Sequence, residues 1–209
     1  MAYSPISRAL MYDMPSYSRG YWRGAYYETL KAHYFGFDED ALSQVPKFER
    51  IRSGEYWRLF TPCLLHGSIF HIAVNMMWLY VFGKQMERRL GIWKYLFFIL
   101  FVGIVSNTAQ YLMGGFPFVG FSGVVTGMLM FVFNRKLRAP REGYDLHSST
   151  AKVLIGFVLI MALVQAFSFA LQMMGQSPLN IGIANTAHVV GGIVGGLLAY
   201  IGPYASQRR

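Results

Sequence analysis

Ser122, His188, His71 and Asn75 are polar side chains set in long apolar stretches of a 209-residue chain. A polar group in such a setting is expensive and needs a partner or a task. His71 and Asn75 are spaced to share one face of a helix. Ser122 stands in Gly120-Phe121-Ser122-Gly123, with Thr126 and Gly127 following at helical spacing. His188 follows Asn185-Thr186-Ala187 and leads into glycines at 191, 192, 195 and 196. His188, Gly192 and Gly196 fall on one helical face, and Ala187, Gly191 and Gly195 on the neighbouring one; such stripes of small residues let helix backbones approach closely. Gly123 and Gly127 form a matching smooth surface beside Ser122. If the two surfaces meet, the imidazole of His188 reaches the Ser122 hydroxyl, and removal of its proton turns a weak alcohol into a nucleophile. The apolar segments hold no Asp or Glu to orient that imidazole, so the arrangement would be a dyad. Ser122 falls near a helix start, where unpaired backbone N–H groups point at charge developing on a carbonyl oxygen, and Asn75 and His71 add side-chain donors.

Taken singly, the same residues have structural uses. A serine in an apolar helix returns its hydrogen bond to a backbone carbonyl, Gly-x-x-x-Gly pairs ordinary helices, and a lone histidine serves as a donor. His66, His71 and His188 have no carboxylate or thiolate companions in these segments, so no metal is expected.

The elements that must carry these residues follow from composition. Hydrophobic residues make up 54 % of the chain and charged residues 14 %, against about 25 % charged in a soluble globular domain. That balance excludes disorder and argues for a membrane fold. Crossing a hydrocarbon core takes about 20 apolar residues in a helix, and five segments are candidates, near Ser68–Phe82, Trp93–Met113, Phe118–Phe133, Val153–Met173 and Ile181–Ile201. The expectation is an all-α polytopic bundle with about five spans.

Basic residues are partitioned between the connections. Lys84, Arg88, Arg89 and Lys94 follow the first segment, Arg135, Lys136, Arg138 and Arg141 the third, and Arg208 and Arg209 the fifth, whereas Gly114–Pro117 and Gly175–Asn180 carry no charge. By the positive-inside rule the basic connections are cytoplasmic. The net charge of +9 is therefore mostly topology, and no nucleic-acid partner is expected. Cys63, the single cysteine, excludes an intramolecular disulfide. Residues 1–52 alternate charges with aromatic rings and contain no adequate apolar run, which suits an interfacial or extramembrane region. The resulting division is 1–52, a membrane domain over 53–201, and a short basic tail over 202–209. No signal peptide is read at the N-terminus, and a multi-pass protein of a bacterial inner membrane is the expected setting.

Together these residues resemble the rhomboid intramembrane serine proteases over about Ser53 to Tyr200. Glu55-Tyr56-Trp57-Arg58 is similar to the Trp-Arg motif of that family's first external loop, and His66 through His71 to Asn75 to its His and His-x-x-x-Asn pattern. Gly120-Phe121-Ser122-Gly123 matches the nucleophile motif, and Ala187-His188 with its glycines the last-helix motif. Glu87-Arg88-Arg89-Leu90-Gly91 is similar to the short cytoplasmic turn. The resemblance implies Ser122 as nucleophile and His188 as general base and then acid. It implies an oxyanion hole of Asn75, His71 and the Ser122 N–H, with Trp57, Arg58 and His66 structural. Gly175–Asn180 would correspond to a cap over the site, and Val153–Met173 to a lateral gate. The implied reaction is hydrolysis of peptide bonds in or near transmembrane helices of protein substrates in the lipid bilayer, with no cofactor.

This chain departs from the family pattern in two places. No spanning helix is read ahead of the Trp-Arg motif, which would expose one flank and favour a partner or a homo-oligomer. Thr126 stands where many active members carry a Tyr packed on the catalytic His. The alternative reading is an inactive rhomboid-like protein that binds transmembrane helices. A small transporter or channel would predict intramembrane carboxylates or an internal repeat, and the sequence has neither.

Overall fold

The computed structural model describes residues 5–12, 48–114, 118–174, 185–201 and 204. Two short helices, α1 (Pro5–Leu10) and α2 (Glu49–Arg52), precede five longer ones: α3 (Ile69–Leu90), α4 (Ile92–Gly114), α5 (Ser122–Arg138), α6 (Ser148–Met173) and α7 (Asn185–Leu198). Single 3-10 turns occupy Tyr56–Leu59, Thr61–Leu64 and Pro140–Glu142. No strand occurs among the described residues.

Local chemistry sets the ends of these helices. The Ser68 side chain accepts from the His71 N–H at the start of α3, a serine cap that satisfies one of the unpaired donors of a first turn. α3 runs past the expected boundary at Phe82 because Lys84 to Leu90 are good helix formers, and it stops at Gly91, whose φ of +78° suits glycine. α5 starts at Ser122 rather than Phe118. Gly120, at φ +124°, turns the chain immediately before it and donates its N–H to the Pro62 carbonyl at 3.0 Å. For the fifth segment, Ile181 to Ala184 lie outside the described residues, as do residues 115–117 of the first uncharged connection, all of the second, most of 1–52 and nearly all of 202–209.

α5 is the central helix, with Gly123 to Leu129, Phe131, Val132 and Arg135 all buried. Around it, Phe82 and Met86 of α3 and Phe98 and Val102 of α4 are fully buried in one cluster with Met128 and Phe131. α7 packs on α5 through glycine. A Cβ on Gly191 would collide with the Gly123 carbonyl, and one on Gly195 with the Gly127 carbonyl, so the two backbones are in contact along the stripe read from the sequence. The outward surface carries Ile69, Trp93, Val153, Leu163 and Ile193, all exposed. A belt of large apolar side chains is a surface that lipid covers. Among the described residues, one helix, Ile92–Met113, is by itself both long and apolar enough to cross a membrane. α5, with 17 residues, would span only ~26 Å at 1.5 Å per residue, and the 14 described residues of α7 ~21 Å. α3 is long enough but carries His71, Asn75 and a charged last turn.

The basic connections after α3 and α5 gather at one end of the bundle. Arg135 is buried and forms an ion pair with Glu142 through Nε and Nη2, while its Nη1 donates to the Ala199 carbonyl at 3.0 Å. Arg89 donates to the Glu142 and Gly143 carbonyls, and Lys136 to that of Leu146. The opposite end carries the starts of α3, α5 and α7, and with them the polar residues singled out above.

Candidate active site

Ser122 is the first residue of α5 and His188 lies in the first turn of α7. The glycine-mediated approach of these two helices brings the side chains together: His188 Nε2 and Ser122 Oγ are 2.7 Å apart. With the imidazole proton on Nδ1, the Ser122 hydroxyl donates to Nε2. His188 is buried, and its Nδ1 has no hydrogen-bond partner among the described residues. Because Ser122 opens its helix, its own N–H has no carbonyl one turn back to bond.

Gly120 forms the wall beside the serine. A Cβ there would lie 2.7 Å from His71 Cε1 and 3.7 Å from Ser122 Oγ, so only a glycine leaves room for the His71 ring next to the hydroxyl. Asn75, one turn further along α3, is buried, and its Nδ2 has no partner among the described residues. A buried amide left unpaired is costly in a folded chain. His66 stacks edge-on against His71, with ring centroids 4.9 Å apart. Burial and the neighbouring His71 hold the His66 imidazole below its ordinary pKa, against an opposing backbone contact with Leu64.

The family model described as Rhomboid domain matches residues 53–205. The chain belongs to the rhomboid family. Among curated relatives, the chain is 37 % identical over 150 residues to the Rhomboid protease GlpG of Pectobacterium atrosepticum, covering 72 % of this chain and 50 % of that one. It is 34 % identical over 146 residues to the protein of the same name from Yersinia pestis, covering 70 % and 48 %. The chain spans about half the length of the curated relatives it matches. The all-helical bundle is rhomboid-like, as the sequence motifs imply.

Trp57-Arg58 lies in a 3-10 turn over Tyr56–Leu59. Arg58 is buried, donating to Glu55 Oε2 at 2.5 Å and to the Met11 carbonyl at 2.8 Å. Trp57 is half exposed and donates its indole N–H to the Ala9 carbonyl at 3.2 Å. Thr126 donates to the Ser122 carbonyl at 2.8 Å instead of placing a ring on His188.

Several supporting residues escaped the sequence reading. Gln110 of α4 accepts from the Ala187 N–H at 3.2 Å and so satisfies the turn that carries His188. Asn107 donates to the Leu59 carbonyl at 3.0 Å, tying the Trp-Arg turn to α4. Both are buried polar side chains in an apolar helix. The rule that singled out His71 and Asn75 applies equally to them.

Proposed function

We propose that this protein is an intramembrane serine protease that cleaves peptide bonds in or near the transmembrane helices of other proteins. The observation that carries the reading is the 2.7 Å contact between Ser122 Oγ and His188 Nε2 at the start of a helix. Ser122 Oγ attacks the scissile carbonyl carbon as its proton passes to His188 Nε2. In this reading the negative charge on the carbonyl oxygen is met by the Ser122 N–H, the Asn75 amide and His71, as preorganised donors aimed at developing charge; the unpartnered Asn75 Nδ2 supports it. Collapse of the tetrahedral intermediate breaks the C–N bond, and the His188 imidazolium returns its proton to the departing amine. A water molecule, deprotonated by His188, then hydrolyses the acyl-enzyme and frees Ser122.

In this reading Trp57, Arg58 and His66 are structural, holding the loop that borders the site. The basic end of the bundle faces the cytoplasm of a multi-pass protein in a bacterial inner membrane, and the site opens to the other side. A substrate helix hides its carbonyls in its own hydrogen bonds, so cleavage favours segments with helix-weakening glycine or proline.

Fluorophosphonate labelling of the detergent-solubilised protein tests this, because the probe reports an activated serine without knowledge of a substrate. Wild type should label, and Ser122→Ala and His188→Ala should not. A folded wild type that stays unlabelled would instead favour an inactive rhomboid-like protein that binds transmembrane helices.

A further inference from the structure

Among the described residues the imidazole of His188 has no second hydrogen bond of the kind that orients a catalytic histidine. Its Nδ1 is buried without a partner among the described residues, so no carboxylate or carbonyl there fixes ring rotation. Rotation about the bond to a histidine ring is soft, with a broad torsional profile. The hydrogen bond to Ser122 holds one edge only. What packs against the ring therefore decides its orientation, and Gly191 and Gly192, the helical neighbours one turn after it, offer no side chain to do so.

One aromatic ring among the described residues packs on it. Phe157 of α6 meets the His188 ring edge-on, with centroids 6.2 Å apart and planes at 63°, within the range of favourable aromatic pairs. Phe157 is 47 % exposed, so its apolar surface is not consumed by the core, as that of Phe98 or Phe131 is. We infer that Phe157 is a positioning residue: from α6 it holds the His188 imidazole in the rotation that keeps Nε2 on Ser122 Oγ. The inference rests on the reading of His188 as the general base. It also makes the dyad depend on α6, since any displacement of that helix away from α7 takes the ring with it.

The test uses the full chain in detergent, with a fluorophosphonate probe and a cleavable transmembrane reporter peptide. Phe157→Ala and Phe157→Leu should each lower kcat and the labelling rate at saturating probe by about two- to tenfold, the range that loss of one aromatic contact corresponds to. KM and the unfolding temperature should stay close to wild type. Phe157→Tyr, which keeps the ring, should retain wild-type rates, as should Leu163→Ala, an exposed position on the same helix. The leucine variant preserves apolar volume, so it separates loss of the ring from loss of folding. Faster labelling in Phe157→Ala, or a lower KM with kcat unchanged, would mean that the residue restricts entry, and would overturn the inference. An equal loss in Leu163→Ala would overturn it too, by assigning the effect to helix packing. Failure of the dyad reading itself would appear differently, as an unlabelled wild type.

Discussion

Arg58 and Met11 lie far apart in the chain, yet the buried guanidinium of one donates to the backbone carbonyl of the other at 2.8 Å. Neighbouring bonds repeat the pattern, with Trp57 on the Ala9 carbonyl and Thr61 on that of Leu10. A segment ahead of the family domain thus supplies hydrogen-bond acceptors to the Trp-Arg turn. Tyr12 anchors it: fully buried, it packs on Tyr111 and Phe118 at centroid distances of 4.8 and 5.4 Å, and its hydroxyl meets Thr108 Oγ1 at 2.9 Å. Tyr12→Ala should cost about 3–5 kcal/mol, as for other large-to-small core changes. Thermal unfolding in detergent checks this, and an unfolding temperature equal to wild type would show that the segment does not support the fold.

The α5–α7 contact makes a sharper prediction because two glycines on different helices behave oppositely. A Cβ on Gly191 has no space beside the Gly123 carbonyl. Gly191→Ala should therefore force the helices apart, destabilise by ~1–3 kcal/mol as overpacking does, and abolish serine labelling by separating Ser122 from His188. Gly156 on α6 has nothing within 4 Å of its would-be Cβ. Gly156→Ala should leave labelling unchanged and raise stability by roughly 0.5–1 kcal/mol through helix propensity. Melting curves and labelling of the two variants side by side decide the matter.

How far the sequence could be read follows from the kind of signal each residue gives. The glycine stripe, the Ser122 motif and His188 were legible because a small or polar residue in an apolar helix is conspicuous and its periodicity fixes the face it occupies. The meeting of α5 with α7 follows from complementary stripes. The contact of Phe157 with His188 was not legible, since a phenylalanine in an apolar helix carries no mark that distinguishes a ring facing lipid from one facing a histidine. The grip of residues 9–11 on the Trp-Arg turn was also hidden, because it is made by backbone carbonyls, which every residue has. Gln110 and Asn107 were legible in principle. Helix boundaries moved where capping rather than hydropathy decides, as at Gly91 and Gly120.

Asn75 separates transition-state stabilisation from binding. Its buried amide has no partner among the described residues, and in the proposed mechanism it is a donor to the developing oxyanion, so removing it should leave substrate affinity nearly intact while slowing the chemical step. Asn75→Ala should lower kcat by about 10²–10³-fold, the usual loss for one such donor, with KM little changed. Steady-state cleavage of a transmembrane reporter peptide gives both numbers. A rise in KM at constant kcat would place Asn75 in ground-state binding instead.

Acidification should loosen the Trp-Arg turn through Glu55. Burial raises the pKa of this carboxyl, but hydrogen bonds and charge from Arg50 and Arg58 outweigh it, and the net position lies below the ordinary carboxylate value. A carboxylate whose folded pKa is depressed contributes stability that is fully present above its unfolded pKa, ~4.3 for a glutamate, and that is lost as pH falls through the lower folded value. The unfolding temperature of wild type should therefore drop on acidification below that point. Glu55→Gln lacks the titrating group, so its curve should lie below wild type at neutral pH and converge with it in acid. Removing the counter-ion of a buried arginine costs on the order of 3–5 kcal/mol in a closed site, and less here because Glu55 keeps 21 % of its side-chain surface exposed. Parallel curves for the two proteins across the whole acid range would show that the Glu55–Arg58 pair does not contribute to the acid sensitivity of the fold.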